Sequence, residues 1–388
     1  MPNTSEIEMQ DEELLEVEES NDENQTSEIG DDIIVPFDPK DIKIIVEPKT
    51  IDHLVTRLRY NEIDLNTEFQ RKGNLWKPEA QSRLIESILL RLPLPAFYFD
   101  ATDENKWLVV DGLQRLWSIK NFIVDAEMKD IKNPPLELNG LEILKDFSNK
   151  GVTFNKLNRT MQRRILETPI TTYLIQPGTP KEVKYNVFRR INTGGLGLNS
   201  MEIRNALNQG IPANFLRELS ESPILRNVLK LQDKRMEDRE LLLRAYSFIN
   251  KDFKEYEKPL STFLDKAMES LGKKSEDELT VILEGILKSI YTQRALFGKH
   301  IFSRSILGSK NRVKLNSALF EVWVSEIYKL NNEQRDKLLS RKEELIIEYK
   351  EILYRENFTK AVVSSTSDKS AVKIRFEAIN KLIQNFIE

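Results

Sequence analysis

From about Pro212 to the C-terminus the sequence carries helical periodicity and almost no strand-like run. That asymmetry limits the fold more than any other feature. Apolar residues recur at three- and four-residue spacing in Asp238–Asn250, Pro259–Leu271, Glu276–Tyr291, Asn316–Tyr328, Asn332–Phe358 and Asp368–Phe386, which predicts a helix in each. Before Pro212, β-branched and aromatic runs alternate with helical ones. Ile42–Val46, Ala96–Asp100, Trp107–Val110 and Ile170–Ile175 read as strands. Thr50 can cap a helix over Ile51–Arg59, Pro78 can open one to about Arg91, and Asn155–Leu166 and Lys181–Arg190 follow. Asn199 or Ser200 can cap another through Leu207, with Glu202 near its start. Asn139-Gly140 within Leu136–Leu144 predicts a small hairpin. His53 falls opposite the apolar face of its helix and is expected at the surface. The expected class is α+β: a domain over residues 33–210 with a small mixed sheet, then an all-helical domain over 211–388.

Residues 1–32 hold thirteen Asp or Glu, no Lys or Arg and no aromatic residue, so they are expected to be a disordered acidic leader. The chain has 62 acidic residues; removing those thirteen leaves 49 against 58 basic ones, about +9 for the rest. Such a body suits a nucleotide or nucleic-acid binder, or is an ordinary Lys-rich surface behind a solubilising tail. There is no cysteine, which excludes disulfides, thiolate chemistry and Cys-ligated metals. With no signal-type N-terminus and no apolar run long enough to span a bilayer, a cytoplasmic location without membrane partners is expected. His53 and His300 are the only histidines, too few for a multi-His metal site.

Three polar clusters interrupt the apolar elements of the first half: Gln70-Arg71 with Trp76; Asp111, Gln114 and Arg115 in the strand–turn–helix Trp107–Ile119; and Arg189, Arg190 and Asn192 before Gly194-Gly195. A strand that ends in a glycine turn and a helix start offers free N–H groups to an anion. Guanidinium groups bind phosphate bidentately, and one carboxylate can help hold Mg²⁺ on a nucleotide. Arg71, Arg115 and Arg190 could supply the first and Asp111 the second, while Gln114 or Asn192 could orient a water. No GxxxxGK[ST] is present, so a P-loop is excluded. Each cluster has a structural alternative, since a glycine pair can be a turn, a Trp a core residue and a buried Asp–Arg pair a buttress.

These motifs occur in the order Phe69-Gln70-Arg71…Trp76, Leu84–Pro95, Val109–Leu116 and Phe188–Gly195 with Leu198–Ala206. In that order they resemble the N-terminal domain of GmrSD-type restriction proteins, the domain of unknown function 262 family, which is distantly similar to the ParB and sulfiredoxin fold. The resemblance covers about residues 40–210. It implies an NTP-binding and NTP-hydrolysing component of bacterial defence against foreign DNA, sensing or switching for a partner nuclease. It also implies Mg²⁺ as cofactor, and nucleotide, DNA, a separate nuclease subunit and a second copy as partners. By the resemblance Asp111, Gln114 and Arg115 are catalytic, with Asp111 also the metal ligand, and Gln70, Arg71, Trp76, Gly112, Arg190, Asn192, Thr193 and Gly194 bind nucleotide. The family's motif reads D-G-Q-Q-R and this chain has Leu113 at its third position, so the departure bears on hydrolysis more than on binding. An HNH-type nuclease is not expected here, because the second half offers only His300. The alternative is a non-catalytic DNA-binding or adaptor protein.

Overall fold

The computed structural model describes residues 16–17, 38–65, 76–128, 134–191, 199–229, 235–308 and 314–388. Two compact units result, one of residues 34–207 and one of residues 208–388 with the N-terminal 1–33. Of the acidic leader only Glu16–Val17 (β1) is described, pairing in parallel with Lys314–Leu315 of the second unit; the rest lies outside the described residues.

The first unit is built on a five-stranded mixed sheet. Its strands are β2 (Ile44–Thr50), β3 (Ile63–Asp64), β4 (Phe97–Asp100), β5 (Trp107–Asp111) and β6 (Pro169–Ile175), in the order β2-β6-β4-β5-β3. β4 and β6 run parallel, while β6 with β2 and β4 with β5 are antiparallel. Period-two alternation sends Phe97 and Phe99 into the core, and Tyr98 between them points to the other face. Helix α1 (Ile51–Arg59), capped by Thr50, and α2 (Pro78–Leu89) bury Ile51, Leu54, Val55, Leu84, Ile85 and Ile88 in that core. β5 leads into α3 (Leu113–Ile119), which continues through a π-helical turn, Lys120–Val124, into α4 (Asp125–Met128).

The strands expected from pattern are present, and β3, too short to show a pattern, joins them beside Trp107. The hairpin expected over Leu136–Leu144 is not formed. Leu136 and Leu138 N–H donate to the carbonyls of Asn121 and Val152, and side chains take others: Asn139 N–H donates to Ser82 Oγ at 3.1 Å, and Glu142, Ile143 and Leu144 N–H donate to the Glu86 carboxylate at 3.1, 2.8 and 2.7 Å. A buried acceptor on α2 takes the place of a partner strand, and Gly140 makes the turn at φ +58°. His53, expected at the surface, is half-buried, its ring 6.2 Å from that of Trp107.

α5 (Lys145–Asn149) and α6 (Arg159–Leu166, capped by Asn158) lead back to β6. α7 (Lys181–Ile191) and α8 (Ser200–Leu207) close the unit. α8 opens with a reciprocal cap: Glu202 N–H donates to Asn199 Oδ1 at 2.8 Å, and Asn199 N–H to Glu202 at 2.7 Å.

Among the described residues the second unit is helical apart from the short β1–β7 pairing, with β7 being Lys314–Leu315. α9 (Ile211–Glu221) and α10 (Pro223–Leu229) precede the principal bundle of α11 (Glu237–Asn250), α12 (Leu260–Leu271), α13 (Glu276–Phe297) and α14 (Ser317–Tyr328). The stretch expected as one helix, Asn332–Phe358, is three: α15 (Asn332–Ser340), α16 (Lys342–Tyr354) and α17 (Glu356–Val363), before α18 (Lys369–Ile387). Arg341 and Arg355 break the run, each serving as the cap of the helix after it. At the centre, Glu321 of α14 is fully buried between Arg244 of α11, at 2.8 Å, and Arg375 of α18. Arg375 also donates to Thr366 C=O at 2.6 Å. Three helices from distant parts of the chain thus share one carboxylate.

Glu86 provides a test of the first unit. Burial opposes its ionisation, and the three N–H donors, with Arg83 nearby, outweigh burial and hold the carboxyl below its usual range. Because the folded value is depressed, its stabilisation is complete above the carboxylate range of the unfolded chain and lost as pH falls through the folded value. Glu86→Gln is expected to lower stability by about 1–3 kcal/mol at neutral pH. In urea melts across pH, the gap to wild type should close toward strongly acidic pH.

Candidate functional site

The site forms where β5 ends. Asp111 is the last residue of the strand, and its side chain remains about a third exposed. Gly112 follows at φ +100°, a left-handed conformation that favours glycine. Space demands glycine there too: a Cβ at Gly112 would lie 2.5 Å from Phe97 Cδ1. The chain therefore turns sharply onto α3, and Leu116 N–H bonds back to Gly112 C=O at 2.9 Å.

Arg115, one turn into α3, folds back beneath this corner and is only 9% exposed. Its Nη2 donates to Asp111 Oδ2 at 2.6 Å. Its Nη1 donates to Pro95 C=O and, at 3.1 Å, to Ala96 C=O, the two residues that lead into β4. The guanidinium lies over the Phe97 ring, 4.5 Å from its centroid. Burial pulls the Arg115 pKa down while Asp111 opposes that, and the group stays cationic because arginine starts so high. Arg115 is thus a positioning group for Asp111 as well as a charge at the corner.

Gln114 faces another way. Its Oε1 accepts the backbone N–H of Trp76 at 3.1 Å. Gln81 Nε2 donates to Trp76 C=O at 2.8 Å, and Gln81 Oε1 accepts from Asn121 of the π-helical turn at 2.9 Å. The first and second sequence clusters, 38 residues apart at Trp76 and Gln114, are therefore joined by a direct bond. Trp76 itself is 37% exposed, so it is not the core residue that a structural reading would make it. Gln70 and Arg71 lie outside the described residues.

The third cluster is approached by α7, which packs against β5. Lys184 of α7 is clamped to Asp100 at the end of β4, 2.8 Å away, and to the Thr102 hydroxyl. Arg190 is exposed in the last turn of α7. Asn192, Thr193 and Gly194 lie outside the described residues. Leu113, by contrast, is a core residue, 5% exposed and packed with the apolar cluster under the sheet. The departure from the family pattern thus falls at a position this chain uses for packing.

Sequence reasoning missed Tyr98 and Tyr173. They are register partners on β4 and β6, stacked 4.4 Å apart, and Tyr98 is also the partner of Asp111 across β5. Burial, helped by Tyr173 and Asp111, pushes the Tyr98 hydroxyl up from its ordinary value. The available signal was alternation: a tyrosine between Phe97 and Phe99 must face away from the core.

Among the described residues no three or more His, Asp or Glu converge on a metal position. One partly exposed carboxylate, Asp111, does fit Mg²⁺, which takes one or two protein carboxylates and completes its shell with phosphate oxygens and water. No helix among the described residues is long and apolar enough to cross a membrane.

Compared with known families, residues 51–209 match the model of the GmrSD restriction endonuclease N-terminal domain. No curated protein and no solved structure matches the chain. The matched span begins with α1 and runs two residues past α8, so it contains the whole corner.

Restoring the family's glutamine is a direct test of the core placement of residue 113. Leu113→Gln would bury an amide among apolar side chains and is expected to lower stability by about 1–3 kcal/mol. Chemical denaturation reads this, and an unchanged midpoint would show that position 113 faces solvent.

Proposed function

We propose, since residues 51–209 match the GmrSD restriction endonuclease N-terminal domain family, that this chain is a restriction- and defence-related protein whose β5–α3 corner binds a nucleoside triphosphate with Mg²⁺. The observation that carries this reading is the Trp76–Gln114 bond. It joins Trp76 of the first sequence cluster to the corner bearing Asp111 and Arg115. A triphosphate calls for more than one guanidinium, and in this reading Arg71 would be the second.

The residues divide the work. Asp111 would hold Mg²⁺, which when bound neutralises charge on the phosphates. Arg115 fixes the Asp111 carboxylate and adds positive potential beneath it. Gln114 holds the mouth segment at Trp76, and the exposed Trp76 ring offers a face for a base. Arg190, Asn192, Thr193 and Gly194 would close the site from the end of α7. Hydrolysis is compatible with Leu113, because that side chain belongs to the core. The output of the bound state would pass to a separate nuclease; the one histidine of the second unit, His300, which bonds to Ser305 at 2.9 Å, does not suit an HNH-type site.

Thermal-shift measurements with each of the four NTPs and Mg²⁺ test the reading. At least one should raise the melting temperature and be hydrolysed, with phosphate release falling at least ~10-fold in Asp111→Asn, the loss of about 1.4 kcal/mol of transition-state stabilisation. The variant's own melt, without nucleotide, checks that it is folded. If no NTP binds at millimolar concentration, the proposal fails. If the chain then binds DNA with a steep salt dependence, the adaptor reading replaces it.

A further inference from the structure

β2 is an edge strand. β6 pairs with one side, and among the described residues no strand pairs with the other. The way its backbone groups point follows from the ladder. Gln176 N–H donates to Lys43 C=O at 2.8 Å and Ile51 N–H to Thr168 C=O at 3.1 Å, both in the register that pairs Ile44 with Ile175. In an antiparallel ladder the inward- and outward-directed residues alternate. Lys43, Ile45, Glu47 and Lys49 therefore turn their backbone groups to β6, while Ile44, Val46 and Pro48 turn theirs to the open edge. Its side chains are mixed: Ile42, Ile45 and Val46 are 41%, 40% and 56% exposed, Lys43, Glu47 and Lys49 stand between and after them, and Glu47 pairs with Lys49 at 2.7 Å. Exposed backbone groups on an edge are a template for another strand, and the charges beside them decide which strand fits.

We propose that this edge pairs with the same edge of a second copy, antiparallel, about a two-fold axis at Ile45. The register is selected by charge and by proline. Centring the pair on Val46 would set Lys43 against Lys49 and Ile44 against Pro48, which has no N–H to give. Centring it on Ile44 would set Asp41 against Glu47. Centred on Ile45, Lys43 of each copy stands opposite Glu47 of the other, and Ile44 stands opposite Val46 with both sets of backbone groups directed at the interface. Opposite charges facing each other across strands stabilise, and like charges destabilise. Pro48 falls at the end of this ladder and stops it from lengthening. Each copy uses its one open β2 edge, so the assembly closes at a dimer instead of growing. The inference uses only the sheet edge and stands independently of the nucleotide reading.

Charge reversal tests it on the full chain by sedimentation equilibrium at low salt. Wild type should show a monomer–dimer equilibrium. Lys43→Glu places Glu against Glu, Glu47→Lys places Lys against Lys, and each alone should weaken dimerisation at least tenfold. Mixing the two variants should restore the dimer, since a Lys43→Glu copy then faces a Glu47→Lys copy with opposite charges at both pairs. The double variant should self-associate like wild type. Recovery on mixing also shows that each variant is folded. A wild type that is monomeric at every loading concentration overturns the proposal. So does a dimer that neither reversal weakens, or a mixture that fails to recover.

Discussion

The buried guanidinium of Arg115 is the interaction on which the first unit depends. It gathers two separate pieces of chain: the end of β5 through Asp111, and the start of β4 through the carbonyls of Pro95 and Ala96 and the face of Phe97. Two of those partners are backbone carbonyls that the two prolines at 93 and 95 keep out of any helix. Without a cation there, the two carbonyls would lose a donor near the core and the partly exposed carboxylate would lose its partner. The same contacts hold Asp111 at the surface with a fixed orientation. Stability and the geometry of the candidate site are thus not separable at this corner.

Elsewhere the chain solves similar problems with the opposite charge. Glu86 accepts three consecutive backbone N–H groups and so folds the segment 142–144 without a partner strand. Glu321 is shared by Arg244 and Arg375 and fastens α11, α14 and α18 at one point. In both cases a carboxylate that local pattern would place on a polar helix face is drawn inside by donors from far along the chain. Such groups add directional specificity that apolar packing lacks, since hydrogen bonds demand particular partners at particular angles.

Much of the architecture was legible because burial imposes period. The strands at Ile42–Val46, Ala96–Asp100, Trp107–Val110 and Ile170–Ile175 and most helices follow from it, as does the loss of strand character beyond about 210. The Asn139-Gly140 hairpin and the single helix over 332–358 were misread for a common reason. A turn signal says that the chain bends, not what its backbone then bonds to; continuous apolar spacing does not reveal where two short helices change direction. In the site, the Asp111–Arg115 pair was readable from i, i+4 spacing, whereas the commitment of Arg115 to Pro95 and Ala96 was not, because those partners lie about twenty residues upstream.

The sequence by itself determined the mixed first half and helical second half, the glycine corner after Trp107–Val110, and the set of polar groups available there. Those properties are local: they depend on side-chain period, on backbone conformations open to glycine, and on which residues lie within a turn of one another. Only the tertiary structure decided that Gln114 would bind the backbone of Trp76, that Leu113 would enter the core, that Tyr98 and Tyr173 would stack beside Asp111, and that β2 would be an edge strand among the described residues. Each of these depends on which strands become neighbours and in what register. Strand order is settled by the packing of the whole unit, and no short stretch of sequence contains it.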